Sequence, residues 1–408
     1  MKIYLVGGAV RDTLLGLPVR ERDWVVVGAT ADEMIRLGYT PVGKDFPVFL
    51  HPETREEYAL ARTERKQGHG YTGFVVHANP EVTLVDDLRR RDLTINAMAE
   101  SADGELIDPF HGKDDLNAGL LRHVSPAFVE DPVRILRVAR FAARLAKWGF
   151  KVAHGTHALM QRMVANGEVD HLVAERVWTE TVRALGEAAP VRFFEVLRRC
   201  GALARLFPEI DRLYGVAQSA AHHPEIDSGV HSMLVLAQAA KLSPDPVVRF
   251  AALVHDLGKA ETPREALPQH AGHEVRSVAL VRQLCTRLRA PNAFRELAEL
   301  TARYHTHCHR ALELETTTLL DTLQAVDAFR RPDRFDKFLL ACEADSRGRQ
   351  GFEDQPYPQA GYLRGARDAA AAVDASAFHE AQMSGQEIGE RLHNERVAAI
   401  ENFRQRYS

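Results

Sequence analysis

The apolar pattern of the chain changes near residue 110, and this change constrains the fold more than any other feature. Up to that point, strand-like segments alternate with short helix-like segments. The strand-like segments are 3–6, 24–27 and 57–61, and the helix-like segments are 9–15 and 31–37. From about Leu116 onward strand signals nearly vanish, and helix follows helix, rich in Ala, Leu, Arg and Glu. The sequence therefore predicts an α+β head followed by an all-α body.

Composition sets the broad class of protein. The chain has 408 residues, 45% hydrophobic and 26% charged, which is typical of a globular protein of roughly two to four domains. No apolar run approaches a membrane span, and the chain begins directly with a strand-like segment, so we expect neither a membrane segment nor a signal peptide. The four cysteines are scattered without metal-knuckle spacing, which favours a reducing cytoplasm. A net charge of −4 disfavours indiscriminate attraction to nucleic acid but leaves room for a basic stripe.

An acidic pair follows a glycine turn near the N-terminus. Glu21 and Asp23 are expected on one short strand, so that their side chains point to the same face. Carboxylates about 7 Å apart along a strand can converge on Mg²⁺, and two such ions can activate a hydroxyl and stabilise a leaving pyrophosphate. The turn Gly7-Gly8-x-x-Arg11 lets backbone N–H groups approach a triphosphate. Alone, each motif is more often a simple turn or a solvated pair, but their order and closeness favour nucleotidyl transfer.

Two arginine-rich motifs follow the acidic pair. Arg91-Asp92 ends a run of three arginines, and we expect Asp92 to orient Arg91 toward an anion, with a solvated helix face as the alternative. Further on, Asp131 suits a helix N-cap and Pro132 suits the first helical turn. The helix that follows carries one arginine face, formed by Arg134, Arg137, Arg140 and Arg144. A stripe with few acidic neighbours repels itself, so we expect phosphates beside it, with a snorkelling surface face as the alternative.

These motifs resemble the head of a bacterial CCA-adding tRNA nucleotidyltransferase, in the poly(A)-polymerase-like class of the polymerase-β superfamily. The matching motifs are Gly7-Gly-x-x-Arg-Asp12, Glu21 with Asp23, Arg91-Asp92, and Glu130-Asp-x-x-Arg134. The resemblance implies a role for each matching position. It implies that Glu21 and Asp23 are catalytic and bind Mg²⁺, and that Gly8 and Arg11 contact the nucleotide. It implies that the phosphates of ATP or CTP are held by Arg91, Arg137 and Arg140. It also implies that Asp131 and Arg134 read the incoming base.

Two details refine the expectation for the head. The first metal ligand of the family is commonly Asp, whereas Glu21 has an extra methylene that moves its carboxylate outward by about 1.5 Å. Glu57, on the next strand, is the candidate third carboxylate.

Base reading has a physical basis of its own. Cytosine and adenine each present an exocyclic amino donor beside a ring-nitrogen acceptor, and an Asp acceptor next to an Arg donor complements both. Guanine and uracil present the opposite pairing, which leaves buried groups unsatisfied at about 1–3 kcal/mol each. The N-cap role expected of Asp131 competes with base reading, and the sequence leaves that choice open.

Histidines cluster in the second half of the chain, and many of the 19 lie between His222 and His309. The order in which His and Asp occur there resembles that of an HD-type metal-dependent phosphohydrolase. We expect His231, His255, Asp256 and Asp345 to be metal ligands, and His270, His273 and His305 are further candidates. An imidazole-rich site with carboxylates suits a transition metal better than Mg²⁺. The resemblance implies Ni²⁺ and 2′,3′-cyclic phosphodiesterase, 2′-nucleotidase and phosphatase activities, in which a metal-bound water attacks a phosphoester. Purely structural histidines are the alternative.

Together the two halves resemble the multifunctional type of CCA-adding nucleotidyltransferase, which carries a C-terminal HD domain. The resemblance implies an α+β nucleotidyltransferase head, a polymerase-β-like mixed sheet with helices, followed by an all-α body containing the HD domain. The expected division is a head at 1–115, a helical neck for base recognition and RNA binding at 116–207, an HD phosphohydrolase domain at 208–330, and a helical C-terminal region at 331–408.

The expected function is template-independent addition and repair of the 3′-terminal CCA of tRNA from CTP and ATP. The expected partner is the tRNA acceptor end, and we expect a cytoplasmic monomer or weak homo-oligomer without membrane contact. One alternative is a poly(A) polymerase or A-adding enzyme. Another is an HD phosphohydrolase whose head is a non-catalytic RNA-binding module. A non-enzymatic RNA chaperone is the weakest alternative, because it leaves the carboxylates and histidines without a role.

Overall fold

The protein is described from a computed structural model that covers residues 1–19, 21–42, 47–66, 74–221, 223–374 and 384–407. The chain forms two compact units, Met1–Leu206 and Phe207–Ser408. None of the helices in the described ranges combines the length and the apolar character that a bilayer span requires. A glycine-rich mobile loop expected at 66–73 lies almost wholly outside the described residues.

The first unit contains all the described strands and a set of mostly short helices. The strands are β1 (Lys2–Val6), β2 (Asp23–Val27), β3 (Thr40–Val42), β4 (Val48–Leu50), β5 (Glu57–Leu60), β6 (Thr63–Lys66), β7 (Phe74–His77), β8 (Ala99–Glu100), β9 (Leu106–Ile107), β10 (Leu120–Leu121) and β11 (Lys151–Val152). The helices are α1 (Gly8–Leu14), α2 (Ala31–Arg36), α3 (Leu84–Arg89), α4 (Gly112–Ala118), α5 (Val133–Arg144), α6 (His154–Ala165), α7 (Ala174–Leu185), α8 (Val191–Arg199) and α9 (Ala202–Leu206). Short 3-10 turns lie at Thr94–Asn96, Pro126–Glu130, Ala146–Trp148 and Glu168–His171.

A seven-stranded mixed sheet organises the head, in the order β3-β4-β5-β2-β1-β8-β9. Strand β2 pairs antiparallel with β1 and parallel with β5, so it sits inside the sheet. Alternation along β2 sends Val25 into a cluster with Leu88 of α3 and Val26 into a second cluster on the other face. Asp23 shares the face of Val25, which places its carboxylate on the side of the sheet that α3 covers.

The two predicted catalytic acids differ in their backbone setting. Asp23 is the first residue of β2, whereas Glu21 lies two residues before the strand begins. The prediction that one strand carries both acids is therefore wrong for Glu21. The strand starts at Asp23 because its partner β1 ends at Val6, which pairs with Asp23, and the chain then turns into α1.

The predicted arginine helix is present as α5, Val133–Arg144. Its apolar face is fully buried, as Ile135, Val138 and Ala142 show. The helix begins one residue later than expected, but the Asp131 carboxylate still accepts a hydrogen bond of 3.2 Å from the Val133 N–H. Helix α5 packs its apolar face against α7 and α8.

The described residues of the second unit form helices and loops, with one isolated β-bridge between Ala217 and Asp227. The helices are α10 (Pro208–Asp211), α11 (Ser228–Leu242), α12 (Pro246–Val254), α13 (His273–Leu288), α14 (Asn292–His309), α15 (Thr316–Ala325), α16 (Pro332–Arg347), α17 (Pro358–Ala371) and α18 (Gly385–Tyr407). Short 3-10 turns lie at Leu257–Glu261 and Arg264–Ala266. Helices α11, α12, α14 and α16 pack against one another, and nearly every residue of α12 is buried. An α+β head followed by helices is thus confirmed, and β10 and β11 are the only strands beyond Leu116 in the part of the chain that the structure describes.

Gly258 gives a test of how tightly the second unit packs. An ideal Cβ on Gly258 would overlap the His273 carbonyl oxygen and lie 2.5 Å from the Ser277 nitrogen, both of them backbone atoms of α13. Gly258→Ala should therefore destabilise the protein by about 1–3 kcal/mol, as overpacking typically does. The matched control is Gly389→Ala in α18, where an added Cβ meets nothing within 4 Å, and which should be stabilising by about 0.5–1 kcal/mol. Urea unfolding followed by circular dichroism measures both, and equal stability of the two variants would contradict the packing.

Candidate active sites

A cleft of about 730 Å³ in the first unit gathers the head residues predicted from sequence. It is lined by Gly8, Arg11, Glu21, Asp23, Arg91, Asp131, Arg134, Arg137 and Arg140. Glu57 is not among the lining residues; it lies on β5 in register with Asp23 and is exposed. The acids and the arginine helix therefore face one cavity, as transfer to a bound nucleotide requires.

The two acids of the cleft are left available for a cation. Within the described residues, neither the Glu21 nor the Asp23 carboxylate forms a hydrogen bond or an ion pair, although arginines line the same cleft. The pKa of Asp23 is raised, because loss of hydration in the cleft and the charge of Glu21 outweigh the attraction of Arg91. Two uncompensated carboxylates are the hard oxygen donors that Mg²⁺ takes, so this pair fits the expected ion.

Arg91 is held by a different acid from the one predicted. Its terminal Nη2 donates to Asp87 at 3.2 Å, and Asp87, fully buried, also accepts from Arg90 at 2.7 Å. The expectation that Asp92 orients Arg91 is therefore wrong. Asp87 lies one turn before Arg91, whereas Asp92 is directed to α5. The buried Nε of Arg91 has no hydrogen-bond partner in the described structure.

Gly7 makes room for Arg91. Gly7 has a φ of +70°, which L side chains rarely adopt, and an ideal Cβ there would lie 2.8 Å from the Arg91 Nη1. At Gly8 the nearest atom to such a Cβ, Arg11 Nη2, is 3.6 Å away. Gly7 is thus required by the protein itself, while the face of Gly8 is open to the cleft.

The arginines of α5 find acidic partners elsewhere in the unit. Arg137 donates to Asp92 at 2.7 Å, Arg140 to Glu180 at 2.7 Å, and Arg144 to Asp12 at 2.8 Å. Burial alone would raise the pKa of Asp92, but Arg137 and the donors around it hold that pKa below its usual range. The self-repelling stripe expected from sequence is relieved by these acids. The terminal amino groups of Arg137 make no hydrogen bond within the described residues.

An aromatic ring ties the glycine-turn helix to α5. The guanidinium of Arg11 lies 4.9 Å from the centre of the Phe141 ring, and that of Arg140 lies 4.7 Å from it. Asp12 joins Arg11 to Arg144. The position of Arg11, which is 2% exposed, is therefore fixed before any ligand binds.

The predicted base readers are engaged by other groups. The Asp131 carboxylate forms a two-point pair with Arg176 of α7, at 3.0 and 2.7 Å. Arg134 donates to the backbone oxygens of Ala127 and Arg90. Arg176 also lines the cleft. No local sequence signal pointed to Arg176, because it lies 45 residues beyond Asp131 and reaches it only through the packing of α7 on α5.

The second unit brings the predicted HD residues together at the mutual contact of four helices. His231 Nε2 lies 3.0 Å from Asp345, and His255 Nε2 lies 3.2 Å from Asp256 and 3.3 Å from Asp345. His273 Nε2 lies 3.2 Å from the other oxygen of Asp256. His305 Nε2 lies 3.6 Å from that same oxygen. The four predicted ligands are all at most 6% exposed.

Backbone carbonyls fix how the histidines point. The Nδ1 atoms of His255, His273 and His305 lie 2.7, 2.9 and 3.0 Å from the carbonyl oxygens of Ala252, His270 and Thr301. Because a carbonyl can only accept, each Nδ1 carries a proton, so Nε2 is the ring nitrogen that faces the centre and would give its lone pair to a metal. This is the arrangement by which outer partners orient metal-binding imidazoles.

The donor set fits a metal ion. The buried His255 Nε2 and Asp256 Oδ1 have no hydrogen-bond partner in the described structure. Ligand atoms of His231, His255 and Asp256 lie within 4.8 Å of one another. Burial would lower the pKa of His255, but Asp256 and Asp345 raise it to about 10, which shows how strongly these carboxylates favour a positive charge. Mixed imidazole and carboxylate donors suit a first-row transition metal.

Of the three further candidate histidines, the structure places two in the cluster and directs the third away from it. His273 and His305 lie in the cluster. Both ring nitrogens of His270 are hydrogen-bonded elsewhere, one to the Thr262 hydroxyl and the other to the Ala217 carbonyl. His270 is therefore not directed to the centre. His309 was missed, although its Nε2 lies 2.7 Å from Asp345. The spacing of His305 and His309 places them on one helical face, so the sequence carried that signal.

A second missed feature is the pair His223 and Glu225. Glu225 lies 2.9 Å from the Nδ1 of His231 and 3.1 Å from that of His223. The His231 Nδ1 has no hydrogen-bond partner in the described structure, so Glu225 acts on this ring through its charge.

Three segments of the sequence match models of known protein domains. The sequence matches a poly A polymerase head domain at 3–122, a probable RNA and SrmB-binding site of polymerase A at 149–214, and an HD domain at 229–331. A multifunctional CCA protein of Thioalkalivibrio sulfidiphilus is 66% identical over 99% of this chain and 99% of its own. One of Methylococcus capsulatus is 63% identical over 99% of this chain and 95% of its own. The chain belongs to the multifunctional CCA protein family.

Solved structures of CCA-adding enzymes have a fold similar to that of this chain. A CCA-adding enzyme in apo form I has a TM-score of 0.66 at 20% identity, covering 98% of this chain and 86% of that one. The Thermotoga maritima CCA-adding enzyme complexed with tRNA has a TM-score of 0.64 at 19% identity, covering 100% and 92%. The family resemblance, the fold class and the nucleotidyltransferase with an HD domain predicted from sequence are confirmed. Both kinds of domain are metal-dependent.

The histidine cluster gives a direct test of metal binding. His255→Ala should weaken retention of Ni²⁺ by about tenfold or more, because it removes a donor atom aimed at the centre. His307→Ala is the matched control, since the His307 Nδ1 lies 2.9 Å from the Thr322 hydroxyl and the residue does not line the cavity around the histidine cluster. Mass spectrometry of bound metal after dialysis measures both variants. Equal metal content in the two would contradict the assignment of this cluster as the metal centre.

Proposed function

We propose that the head cleft adds and repairs the 3′-terminal CCA of tRNA from CTP and ATP. The observation that carries this proposal is that two uncompensated carboxylates and the arginine face of α5 line one cleft. Relatives at 66% and 63% identity over nearly the whole chain are named multifunctional CCA proteins. Among solved structures of similar fold, CCA-adding enzymes are described with CTP, with ATP and with tRNA.

Each part of the cleft has a task in this proposal. Glu21 and Asp23 would hold Mg²⁺, which when bound activates the terminal hydroxyl of the tRNA and stabilises the leaving pyrophosphate. Arg91 and Arg137 carry N–H donors that have no hydrogen-bond partner among the described residues, and they would bind the triphosphate. The open face of Gly8 lets the nucleotide approach the backbone.

Asp131 and Arg134 would select the base. The carboxylate would accept from the exocyclic amino group of cytosine or adenine, and the guanidinium would donate to the ring nitrogen. Arg176 holds the Asp131 carboxylate at two points, so a base must share or replace that pair. A prepared acceptor of this kind requires no nucleic-acid template.

The second centre would hydrolyse phosphoesters at RNA ends, with 2′,3′-cyclic phosphodiesterase, 2′-nucleotidase and phosphatase activities. Its imidazole-rich donors favour a transition metal such as Ni²⁺, which when bound supplies an activated water. The segment at 149–214 would contact the tRNA, and the four-part division at 115, 207 and 330 remains our proposed domain organisation. A cytoplasmic location suits the substrates CTP, ATP and tRNA.

The two narrower alternatives are separated by simple assays. An A-adding enzyme or poly(A) polymerase would extend tRNA lacking its CCA end with ATP but not with CTP, whereas the proposed function requires CTP first. An HD phosphohydrolase with a non-catalytic head would incorporate neither. Glu21, Asp23 and α5 line one cleft, which argues against a non-catalytic head.

The separation of the two centres can be tested by paired variants. Asp23→Ala should abolish nucleotide addition, because a ligand to the Mg²⁺ is removed, and should leave phosphatase activity intact. His255→Ala should do the reverse. The control for the head is Glu53→Ala, an exposed acidic residue outside the cleft, which should retain both activities. Loss of both activities, or of neither, in Asp23→Ala would refute two independent centres.

Base selection can be tested at Asp131. Asp131→Asn keeps the shape but replaces one acceptor oxygen with a donor, so kcat/KM for CTP and ATP should fall by about 10- to 100-fold. Incorporation of UTP relative to CTP should rise in the same variant. Steady-state incorporation with each nucleotide measures both effects. An equal loss for all four nucleotides would mean that Asp131 has a structural role only.

A further inference from the structure

The HD centre opens into a pocket of about 480 Å³ whose outer lining is not metal-binding. Alongside the histidines and aspartates, the pocket is lined by Lys259, Thr306, Glu313, Ser346, Arg349, Tyr357 and Gln359. Glu313 pairs with Arg310 at 3.2 Å. Two of the lining residues, Lys259 and Arg349, are cations. They are held in very different ways.

Lys259 is committed to the centre itself. Its Nζ lies 2.6 Å from Asp256 Oδ2 and 2.6 Å from the Gln218 side-chain oxygen. The residue is 6% exposed. Lys259 therefore compensates the charge of Asp256, and little of its donor capacity is left for a substrate.

Arg349 has no acidic partner within the described residues. Its Nε donates to the Ser346 backbone oxygen at 2.9 Å, and one Nη2 bond of 3.4 Å reaches the Ser346 hydroxyl. Its Nη1 makes no hydrogen bond within the described part of the chain. The guanidinium lies 4.3 Å from the centre of the Phe352 ring. A half-buried arginine that lines a pocket and has no carboxylate partner among the described residues is prepared for an anion from outside.

The backbone fixes Arg349 relative to the metal centre. Asp345, a candidate ligand, lies on α16, and Arg349 follows two residues after the helix ends at Arg347. Between them, Gly348 packs so closely on α11 that an ideal Cβ would lie 2.7 Å from the Cα of Val235. The Phe352 N–H also donates to the Arg349 backbone oxygen at 2.9 Å. The guanidinium is thus positioned by packing before substrate binds.

We propose that Arg349 binds the substrate's phosphate group in the HD pocket and so selects RNA ends that carry a terminal phosphomonoester or a 2′,3′-cyclic phosphate. This inference rests on the proposed phosphohydrolase function of the same site. A planar guanidinium matches two non-bridging phosphate oxygens. Stacking on Phe352 lowers the entropy that the side chain loses on binding.

Kinetics of the full-length, Ni²⁺-loaded protein tests the assignment. Arg349→Gln should lower kcat/KM by about 10- to 100-fold, mainly through KM, for 2′-AMP, 2′,3′-cyclic AMP and p-nitrophenyl phosphate alike. The inhibition constant of inorganic phosphate should rise by a similar factor. Arg349→Lys should restore part of the loss, since it keeps the charge without the planar fork. Phe352→Leu should give an intermediate loss.

The control variant is Arg330→Gln, a surface arginine of the same unit with an 84% exposed side chain, which should match the parent protein in every assay. Metal content and CCA addition should be unchanged in Arg349→Gln. A fall in metal content, or a loss confined to the two nucleotides with p-nitrophenyl phosphate and phosphate inhibition unaffected, would overturn the assignment. The first outcome would mean that Arg349 supports the metal, and the second that it contacts the nucleoside.

Failure of the phosphohydrolase function itself is recognised separately. If the parent protein hydrolyses none of the three compounds with Ni²⁺, that function is refuted. Calorimetric titration of inorganic phosphate into the Ni²⁺-loaded protein then decides the role of Arg349. Binding that is lost in Arg349→Gln and kept in Arg330→Gln supports the phosphate site, and equal binding or no binding in the parent refutes it.

Discussion

Carboxylates from distant parts of the first unit hold the arginines of α5, and the head cleft depends on this pairing. Arg140 and Glu180 are both buried, so removing either would leave a buried charge, which typically costs about 3–5 kcal/mol. Because Arg137 and Arg140 have their own acids, they do not neutralise Glu21 and Asp23. One cleft can therefore present anion-binding and cation-binding groups side by side.

The histidine centre of the second unit uses a related device. Backbone carbonyl oxygens accept hydrogen bonds from the Nδ1 atoms of three imidazoles, and Glu225 lies against His231. Each ring is thereby turned so that Nε2 faces the aspartates. In both centres, residues that are not expected to touch substrate fix the orientation and the charge of the side chains that are expected to touch it. Arg349 would be positioned in a similar way in the HD pocket, where its guanidinium lies over the Phe352 ring and pairs with no acid among the described residues.

Sequence reasoning reached most of the fold and most of the candidate residues, and its errors share a cause. The strand and helix periods of the head, the apolar face of α5 and the His-Asp pair at the end of α12 are local patterns. The partner of Arg91 was assigned to its neighbour Asp92, whereas the structure uses Asp87. Adjacency in sequence says little about which side chains meet. Glu21 was placed on a strand that begins two residues later.

The sequence by itself determined which donors and charges the protein has and which stretches become strands or helices, because those properties are set by residue type and by periods of a few residues. Only the tertiary structure decided the partnerships. Arg144 meets Asp12 across 132 residues and His231 meets Asp345 across 114. Such pairs form where the burial of apolar faces has already brought helices together, and the energy of that burial is spread over many residues that carry no functional signal.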